Sequence, residues 1–219
     1  MKVKLISVTK PLLNIEGMTA EDLVVYTARV SNPENQENFE TSERLLKYLI
    51  REKHWSPFEM VDMTVEIKTS RAIAQQIIRH RSFSIQEFSQ RYSSSGSIED
   101  LELRMQAKSN RQSSTEIIND ELKEKFESKI EKLFSDSFEL YEEMLKSGIS
   151  KESSRFILPL NTQTTLYIKG SIRSWIHYLQ LRLHETTQKE HREIAEEIFN
   201  IFKEQFPTIG KMINYETQS

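Results

Sequence analysis

Cysteine is missing from this 219-residue chain. Its absence excludes disulfide bonds, cysteine-ligated zinc or iron–sulfur sites, and any catalytic cysteine nucleophile. Long apolar runs are missing as well, so the sequence predicts no membrane-spanning segment. A basic excess is also missing, because 33 acidic side chains outnumber 30 Lys and Arg and give a formal net charge of −3. This balance argues against a general nucleic-acid binder.

The composition predicts a soluble, cytoplasmic protein with a single domain over residues 1–219. A chain of this length can bury one sizeable core, with room for a second small lobe. Residues 1–8 alternate like a strand and lack the apolar block of a signal peptide. The sequence contains no internal repeat and no linker that would separate domains.

Hydrophobic periodicity predicts an α/β fold, in which a mainly antiparallel sheet is flanked by helices and the C-terminal half is long and helix-rich. Alternating residues indicate strands at 2–9, 61–68 and 163–169. Capping residues and helical spacing indicate helices that begin at Thr19 and Ser70, and others over Thr41–Lys53, Thr115–Ser147 and Ile172–His184. The segment Ser93–Ser114 is rich in Ser, Gly and charge, so we expect a long mobile loop over a site.

The most informative segment runs from Arg79 to Tyr92 and reads Arg-His-Arg-Ser-Phe-Ser-Ile-Gln-Glu-Phe-Ser-Gln-Arg-Tyr. Arginine side chains bind phosphate bidentately, and neighbouring aromatic rings can stack on planar bases. The segment therefore predicts a phosphate-and-base site. Gln76, Arg79 and His80 are spaced i, i+3 and i+4, which predicts one shared face of the helix that begins at Ser70.

The predicted helix Ile172–His184 carries polar groups on both borders of its apolar stripe. Arg173, His177 and His184 follow one border, whereas Arg182 lies on the other. Such a helix can contribute to two neighbouring pockets. The two histidines share a face without a carboxylate or a third ligand, so no metal site is predicted.

Together these segments resemble the flavin-dependent thymidylate synthases. The signature of that family is Arg-His-Arg followed by Glu-x-Ser-x-Arg-Tyr, here at residues 79–81 and 87–92. Further matching blocks lie at residues 54–59, 155–161, 173–174 and 181–182, so the resemblance covers nearly the whole chain. It implies methylation of dUMP to dTMP with 5,10-methylenetetrahydrofolate as carbon donor and NADPH-reduced FAD as hydride source. The missing cysteine agrees with this implied reaction, because the unrelated thymidylate synthase attacks uracil with a cysteine, a route that is closed to this chain.

The resemblance also implies a homotetramer with shared sites and assigns roles to individual residues. Arg182 would be catalytic, because a cation beside the pyrimidine favours ionised N3. Ser89 would bind dUMP rather than act as a nucleophile, since no base partner accompanies it. The implied FAD contacts are Ser56 (from a neighbouring subunit), Arg79, His80, Arg81, Glu87, Ser171, Ile172, Arg173 and His177. The implied dUMP contacts are Gln76, Arg79, Glu87, Phe88, Ser89, Gln90, Arg91, Arg155 and Arg182.

The chain departs from the family pattern at four positions. The family usually has Asn where Gln86, Ser171 and His177 stand, and often His where Met60 stands. These changes affect hydrogen-bonding groups near the flavin, above all at residues 171 and 177. The arginines expected to bind phosphate are all present.

Two alternatives remain open from the sequence. One is a noncatalytic nucleotide- or RNA-binding domain, in which arginines contact phosphates and Phe83, Phe88 and Tyr92 stack on bases. The acidic net charge and the lack of a basic stripe weigh against it. The other is a degenerate family member that binds nucleotide without turnover. A yellow colour distinguishes the enzyme from an RNA binder, and an assay distinguishes it from the degenerate member.

Overall fold

The structure is a computed structural model that describes residues 2–92, 97–108, 110 and 113–213, apart from the side chains at 116 and 117. Its strands are β1 Lys2–Val8, β2 Asp62–Ser70, β3 Ser84–Glu87, β4 Arg104–Gln106, β5 Ser114–Ile117 and β6 Gln163–Ser171. Its α-helices are α1 Ala20–Ala28, α2 Ser42–Arg51, α3 Arg71–Ile77, α4 Asp120–Lys146, α5 Lys151–Ser154, α6 Ile172–Arg182, α7 Lys189–Gln205 and α8 Pro207–Gly210. Short 3-10 helices span Pro33–Asn35, Ser56–Glu59 and Arg155–Ile157.

Four strands form an antiparallel sheet in the order β1-β2-β6-β3, and β4 pairs with β5 in a second antiparallel sheet. The alternation predicted for β2 is confirmed: Met63, Val65 and Ile67 are fully buried, whereas the residues between them are partly exposed. A strand of this kind buries one face in the core and leaves the other accessible. Helices flank the antiparallel four-stranded sheet and the C-terminal half is rich in helix, which confirms the predicted fold class.

The chain divides into two compact units. The first comprises residues 68–77 and 87–166, and the second comprises residues 2–67, 78–86 and those from 167 onward. The division falls within β2, β3 and β6. Buried side chains in the first unit include Ile73 and Tyr141, and those in the second include Phe58, Trp175 and Phe202. A single domain over residues 1–219 stays a prediction.

Local signals place several helix ends where the sequence predicts them. The Thr19 side chain accepts a hydrogen bond from the Asp22 N–H, and the Asp22 carboxylate accepts one from the Thr19 N–H, so a capping box begins α1. The Ser70 hydroxyl accepts from the Ile73 N–H at the start of α3. After α4, Gly148 adopts a φ of +85°, the left-handed conformation that ends many helices.

The predicted loop Ser93–Ser114 is wrong in part. Strand β4 and the start of β5 lie within it, and Ile98 forms an antiparallel bridge with Thr162. Residues 93–96, 109, 111 and 112 of that loop lie outside the described residues. Helix α4 begins at Asp120 rather than Thr115, because β5 occupies the preceding residues and the Asn119 side chain caps the helix through the Leu122 N–H.

The predicted helical face of Gln76, Arg79 and His80 is also wrong. Helix α3 ends at Ile77, and the chain then turns, with the Phe83 N–H donating to the His80 carbonyl. Helix α6 ends at Arg182, so His184 lies beyond it and its ring nitrogen contacts the Thr186 hydroxyl instead. Within the described residues, no helix is both long and apolar enough to cross a membrane.

Candidate active site

The end of α6 contacts the Arg-His-Arg segment within the second unit. The Nε of Arg182 donates a hydrogen bond of 2.9 Å to Nε2 of His80. An arginine can only donate, so this nitrogen of His80 carries a lone pair and the ring is neutral. Burial, followed by the positive charge of Arg182, lowers the pKa of His80 to about 4. His80 therefore fixes the orientation of Arg182 as an uncharged acceptor at neutral pH.

A buried polar pair lies behind this contact. The hydroxyl of Tyr178 is 3.1 Å from Nε2 of His191, and both side chains are buried. Burial lowers the pKa of His191 to about 3, with further contributions from Arg182 and His80, and burial raises the pKa of Tyr178. The His80 and Tyr178 rings are 5.0 Å apart between centroids. His80 thus rests on a neutral, hydrogen-bonded pair that the sequence reasoning missed, because two isolated residues on different helices give no motif.

Gly170 allows the Arg-His-Arg segment to approach β6 closely. A Cβ at this position would lie 2.4 Å from two ring carbons of Phe83, so only glycine leaves space for that ring. The same ring packs against Trp175 with centroids 4.5 Å apart. The Ser174 hydroxyl donates to the Ser82 carbonyl at 3.3 Å. These contacts hold residues 82 and 83 against the start of α6.

A second polar cluster surrounds the start of α6. Arg173 Nη1 donates to Glu59 Oε1 at 2.9 Å, and a hydrogen bond from Ser171 lowers the pKa of the Glu59 carboxyl, with Arg173 adding to this. His177 packs edge-on against Trp55 at 4.8 Å, and burial together with Arg173 lowers its pKa. The structure thus brings Ser171, Arg173 and His177 together. Glu59 is the partner that the assigned roles left out, although it ends the His-x-Ser-Pro-Phe-Glu block.

Two other predicted flavin residues differ in accessibility. Ile172 is fully buried, and its N–H donates to the Val61 carbonyl. Ser56 is exposed at the start of its 3-10 helix.

Arg79 and Arg81 are exposed, and neither has an ion-pair partner within the part of the chain that the structure describes. Both guanidinium groups can therefore accept an anionic ligand.

In the first unit, Glu87 is held by two donors. Its Oε1 accepts hydrogen bonds from Arg71 Nη1 at 3.2 Å and from the Thr164 hydroxyl at 3.0 Å. Arg71 also donates to the Phe88 carbonyl at 3.4 Å. The sequence reasoning missed Arg71, whose position directly after the Ser70 cap belongs to none of the matching blocks. Arg71 orients the first residues of the Glu-x-Ser-x-Arg-Tyr element.

Within the rest of that element, Arg91 is accessible from solvent. Arg91 forms an ion pair of 3.3 Å with Glu152, and both side chains are about 60% exposed. The guanidinium of Arg155 lies over the Phe156 ring at 5.7 Å. The Ser89 hydroxyl accepts from the Arg91 N–H at 3.4 Å, and no basic side chain contacts it among the described residues. Gln90 is buried, with Nε2 left without a hydrogen-bond partner. Gln76 lies in α3 and is half-buried.

In the second unit, Arg182 on a neutral His80 and the exposed Arg79 and Arg81 define a protein suited to anionic ligands. No group of three or more potential metal ligands occurs among the described residues. The family model for thymidylate synthase complementing protein matches residues 14–208, and the chain belongs to this family.

Full-length relatives support this membership. The chain is 51% identical over 217 residues to a probable flavin-dependent thymidylate synthase of Paramecium bursaria Chlorella virus 1, with 98% of this chain and 100% of the relative aligned. It is 52% identical, with the same coverage, to a flavin-dependent thymidylate synthase of Synechocystis. A solved UMP/dUMP methylase, PolB from Streptomyces cacaoi bound with 5-Br dUMP, superimposes with a TM-score of 0.82 at 26% identity, covering 96% of this chain and 93% of that one. The resemblance inferred from the motifs is confirmed.

Proposed function

We propose that this protein methylates dUMP to dTMP, with 5,10-methylenetetrahydrofolate as the carbon donor and FAD, reduced by NADPH, as the hydride source. Near full-length identity to flavin-dependent thymidylate synthases supports this reaction. The observation that carries the proposal is the hydrogen bond between Arg182 and His80, because it joins the signature motif to the arginine expected at the base. The missing cysteine agrees with a route that needs no thiol nucleophile.

The residues of the second unit fit a flavin dinucleotide. Arg79 and Arg81 present guanidinium groups without ion-pair partners in the described chain, which suits the diphosphate of FAD. Ser171, Arg173 and His177 offer hydrogen-bonding groups at the start of α6. When bound and reduced by NADPH, FAD would supply the hydride for the methylation. Ser56 would contribute from a neighbouring subunit of a homotetramer, which rests on the family resemblance, and the cytoplasmic location stays a prediction from composition.

The residues of the first unit fit the phosphate of dUMP. Among the described residues, the Arg91 side chain is held by an exposed ion pair with Glu152, and such pairs contribute little to stability. A phosphate dianion can replace that carboxylate and gain a bidentate contact. Arg155, whose guanidinium lies over the Phe156 ring, would add a second contact to the phosphate, and Glu87 to Gln90 would complete the substrate contacts.

Arg182 would act on the base and His80 would position it. A guanidinium beside N3 stabilises the charged form of the pyrimidine, which raises electron density at C5, the carbon that must attack the folate methylene. The hydrogen bond from Nε to His80 leaves the two terminal nitrogens of Arg182 free of that contact and able to face a substrate. The neutral ring of His80 adds no second positive charge next to the pyrimidine.

Release of tritium from dUMP labelled at C5 tests the proposed function. We expect release that requires both 5,10-methylenetetrahydrofolate and NADPH, and a visible absorption spectrum of bound flavin after incubation with FAD and gel filtration. A colourless protein would contradict the flavin assignment and favour the noncatalytic nucleotide- or RNA-binding alternative. A yellow protein that releases no tritium would indicate a degenerate family member.

A further inference from the structure

A cavity of about 810 Å³ in the second unit lies outside the residues assigned to FAD and dUMP. It is lined by the end of α1, the segment that follows, and one face of α2. Four of its lining side chains are cationic, namely Arg29, Arg44, Lys47 and Arg51, and no lining residue is acidic. Its volume is within the range of small-molecule sites.

Arg29 is a buried cation without a counter-charge. It is 7% exposed, and its guanidinium donates to the Asn35 carbonyl at 3.1 Å and to the Thr41 hydroxyl at 2.7 Å. Both acceptors are neutral, and no carboxylate of the described chain forms an ion pair with it. Burying an unpaired charge is costly, so buried cations normally have an anion nearby. A lining arginine of this kind points to an anionic occupant of the cavity.

The α2 side of the cavity provides both charge and an aromatic ring. Arg44, Lys47, Tyr48 and Arg51 are spaced i, i+3, i+4 and i+7, so they share one helical face. Arg44 has no ion pair in the part of the chain that the structure describes. The Arg51 guanidinium lies 5.6 Å from the Tyr48 ring centroid. A stacked arginine and tyrosine suit a planar base, and the free cations suit a phosphate.

The acidic neighbours of these cations do not neutralise the cavity. Lys47 pairs with Glu43 at 3.7 Å, and Arg51 pairs with Glu52 at 2.7 Å. Both pairs are largely exposed, and such pairs contribute little. A phosphate dianion can therefore compete for Lys47 while it meets the uncompensated charge of Arg29 and Arg44, and Arg51, which lies over the Tyr48 ring, stays available to a planar base.

We propose that this cavity binds the adenosine 2′-phosphate end of NADPH. The identity of the ligand rests on the proposed function, which requires a reduced nicotinamide dinucleotide. The cations then contact the 2′-phosphate, and Tyr48 with Arg51 contacts the adenine. The cavity thereby distinguishes NADPH from NADH, which lacks that phosphate.

Calorimetric titration of the purified protein with adenosine 2′,5′-bisphosphate, AMP and inorganic phosphate tests this site directly. We expect the bisphosphate to bind at least about tenfold more tightly than AMP, because the 2′-phosphate adds charge-assisted contacts. Arg44→Ala and Lys47→Ala should each weaken bisphosphate binding about tenfold and leave AMP binding nearly unchanged. Lys4→Ala, an exposed lysine of β1, serves as the control and should change neither affinity.

Three results would overturn the proposal: equal affinity for the bisphosphate and AMP, unchanged affinity in both cavity variants, or inorganic phosphate binding as tightly as the bisphosphate. The titration uses neither dUMP nor folate, so it is independent of turnover. Bisphosphate binding without tritium release would mean that the site exists but the proposed reaction fails. Tritium release with an unchanged KM for NADPH in Arg44→Ala would mean that the reaction stands and the site is wrong.

Discussion

At the scale of single residues, the site depends on histidines that stay neutral. His80 can accept from Arg182 only through an unprotonated nitrogen, and His191 is fully buried beside the Tyr178 hydroxyl. Neutral rings avoid the cost of placing further positive charge next to Arg182. Among Arg182, His80, Tyr178 and His191, Arg182 therefore carries the positive charge.

Replacing Arg182 by Lys should lower turnover by at least about tenfold while flavin binding is retained. Lysine keeps the charge but loses the planar group that contacts His80 and that, in the proposed function, would also contact the base. Single-turnover kinetics with the flavin spectrum as the loading control measure this. Arg192→Lys, at a partly exposed arginine of α7 paired with Glu196, is the matched control and should behave like the wild type. Ser89→Ala should lower dUMP affinity yet retain turnover at saturating dUMP. If this variant is wholly inactive at saturation while Arg182→Lys is near wild type, the assigned roles are reversed.

Replacing Arg91 or Arg155 by Ala should weaken dUMP binding by about tenfold, because each removes a charge-assisted contact to phosphate. FAD affinity should change much less. Equilibrium titration of each variant with dUMP and with FAD provides the comparison. If dUMP affinity is unchanged in both variants, these arginines serve another ligand.

Buried His191 predicts a stability that depends on pH. Its pKa is about 3 in the folded protein and near 6.5 when unfolded, so between these values only the unfolded chain binds the proton. The free energy of unfolding should therefore fall as the pH decreases from 6.5 toward 3, with a contribution from His191 of about 3–5 kcal/mol. Urea unfolding at several pH values measures this free energy. In the double variant Tyr178→Phe/His191→Leu, the free energy of unfolding should depend less on pH. Equal dependence in both proteins would contradict a neutral buried His191.

At the scale of elements, the end of β6 and the start of α6 position most of the second-unit site. Gly170 admits the Phe83 ring, and the Ser171 hydroxyl accepts from the Ser174 N–H as the cap of α6. Arg173, His177 and Arg182 then follow on one rigid helix. The strand-to-helix junction therefore fixes the spacing between Arg173, His177 and Arg182, to which we assign flavin binding and catalysis in the proposed function.

Replacing Gly170 by Ala should destabilise the protein by about 1–3 kcal/mol, because the added Cβ overlaps the Phe83 ring. Displacement of that ring should also alter the fluorescence of Trp175, which packs against it. Thermal unfolding and the emission spectrum check the two effects. Ser171→Asn, which keeps a capping side chain, should leave the thermal unfolding and the emission spectrum nearly unchanged. If Gly170→Ala also leaves both measurements unchanged, the Phe83 ring moves freely.

At the scale of the whole molecule, the proposed homotetramer predicts that two defective variants complement each other. Ser56→Tyr and Arg182→Lys chains should each be poorly active, but mixed oligomers should contain some sites with both native residues. Turnover should recover to about a quarter of the sites if neighbouring subunits share them. Coexpression of the two variants followed by the tritium assay measures the recovered turnover. Sedimentation should give a molecular mass of about four times the 25.8 kDa of the chain. Activity no higher than that of the separate variants would contradict shared sites.

Local sequence determined the secondary structure wherever a strong pattern acts over a few residues. The alternation of β2 and the capping box at Thr19 each act through neighbouring atoms, and both predictions were confirmed. The motif spacing also gave the family, because ligand contacts constrain residue types at fixed intervals. The strands β4 and β5 were missed, since pairing between distant residues leaves little periodicity in so short a strand.

Only the tertiary structure decided which side chains meet. The sequence assigned His80 and Arg182 to separate roles, and their hydrogen bond depends on packing between residues about a hundred positions apart. The neutral pair Tyr178–His191 and the uncompensated charge of Arg29 are likewise properties of burial, which no local pattern encodes. Residue identity therefore determined the chemistry available to this protein, whereas the fold set the protonation states and partners of its groups, because both depend on distance and on exclusion of water.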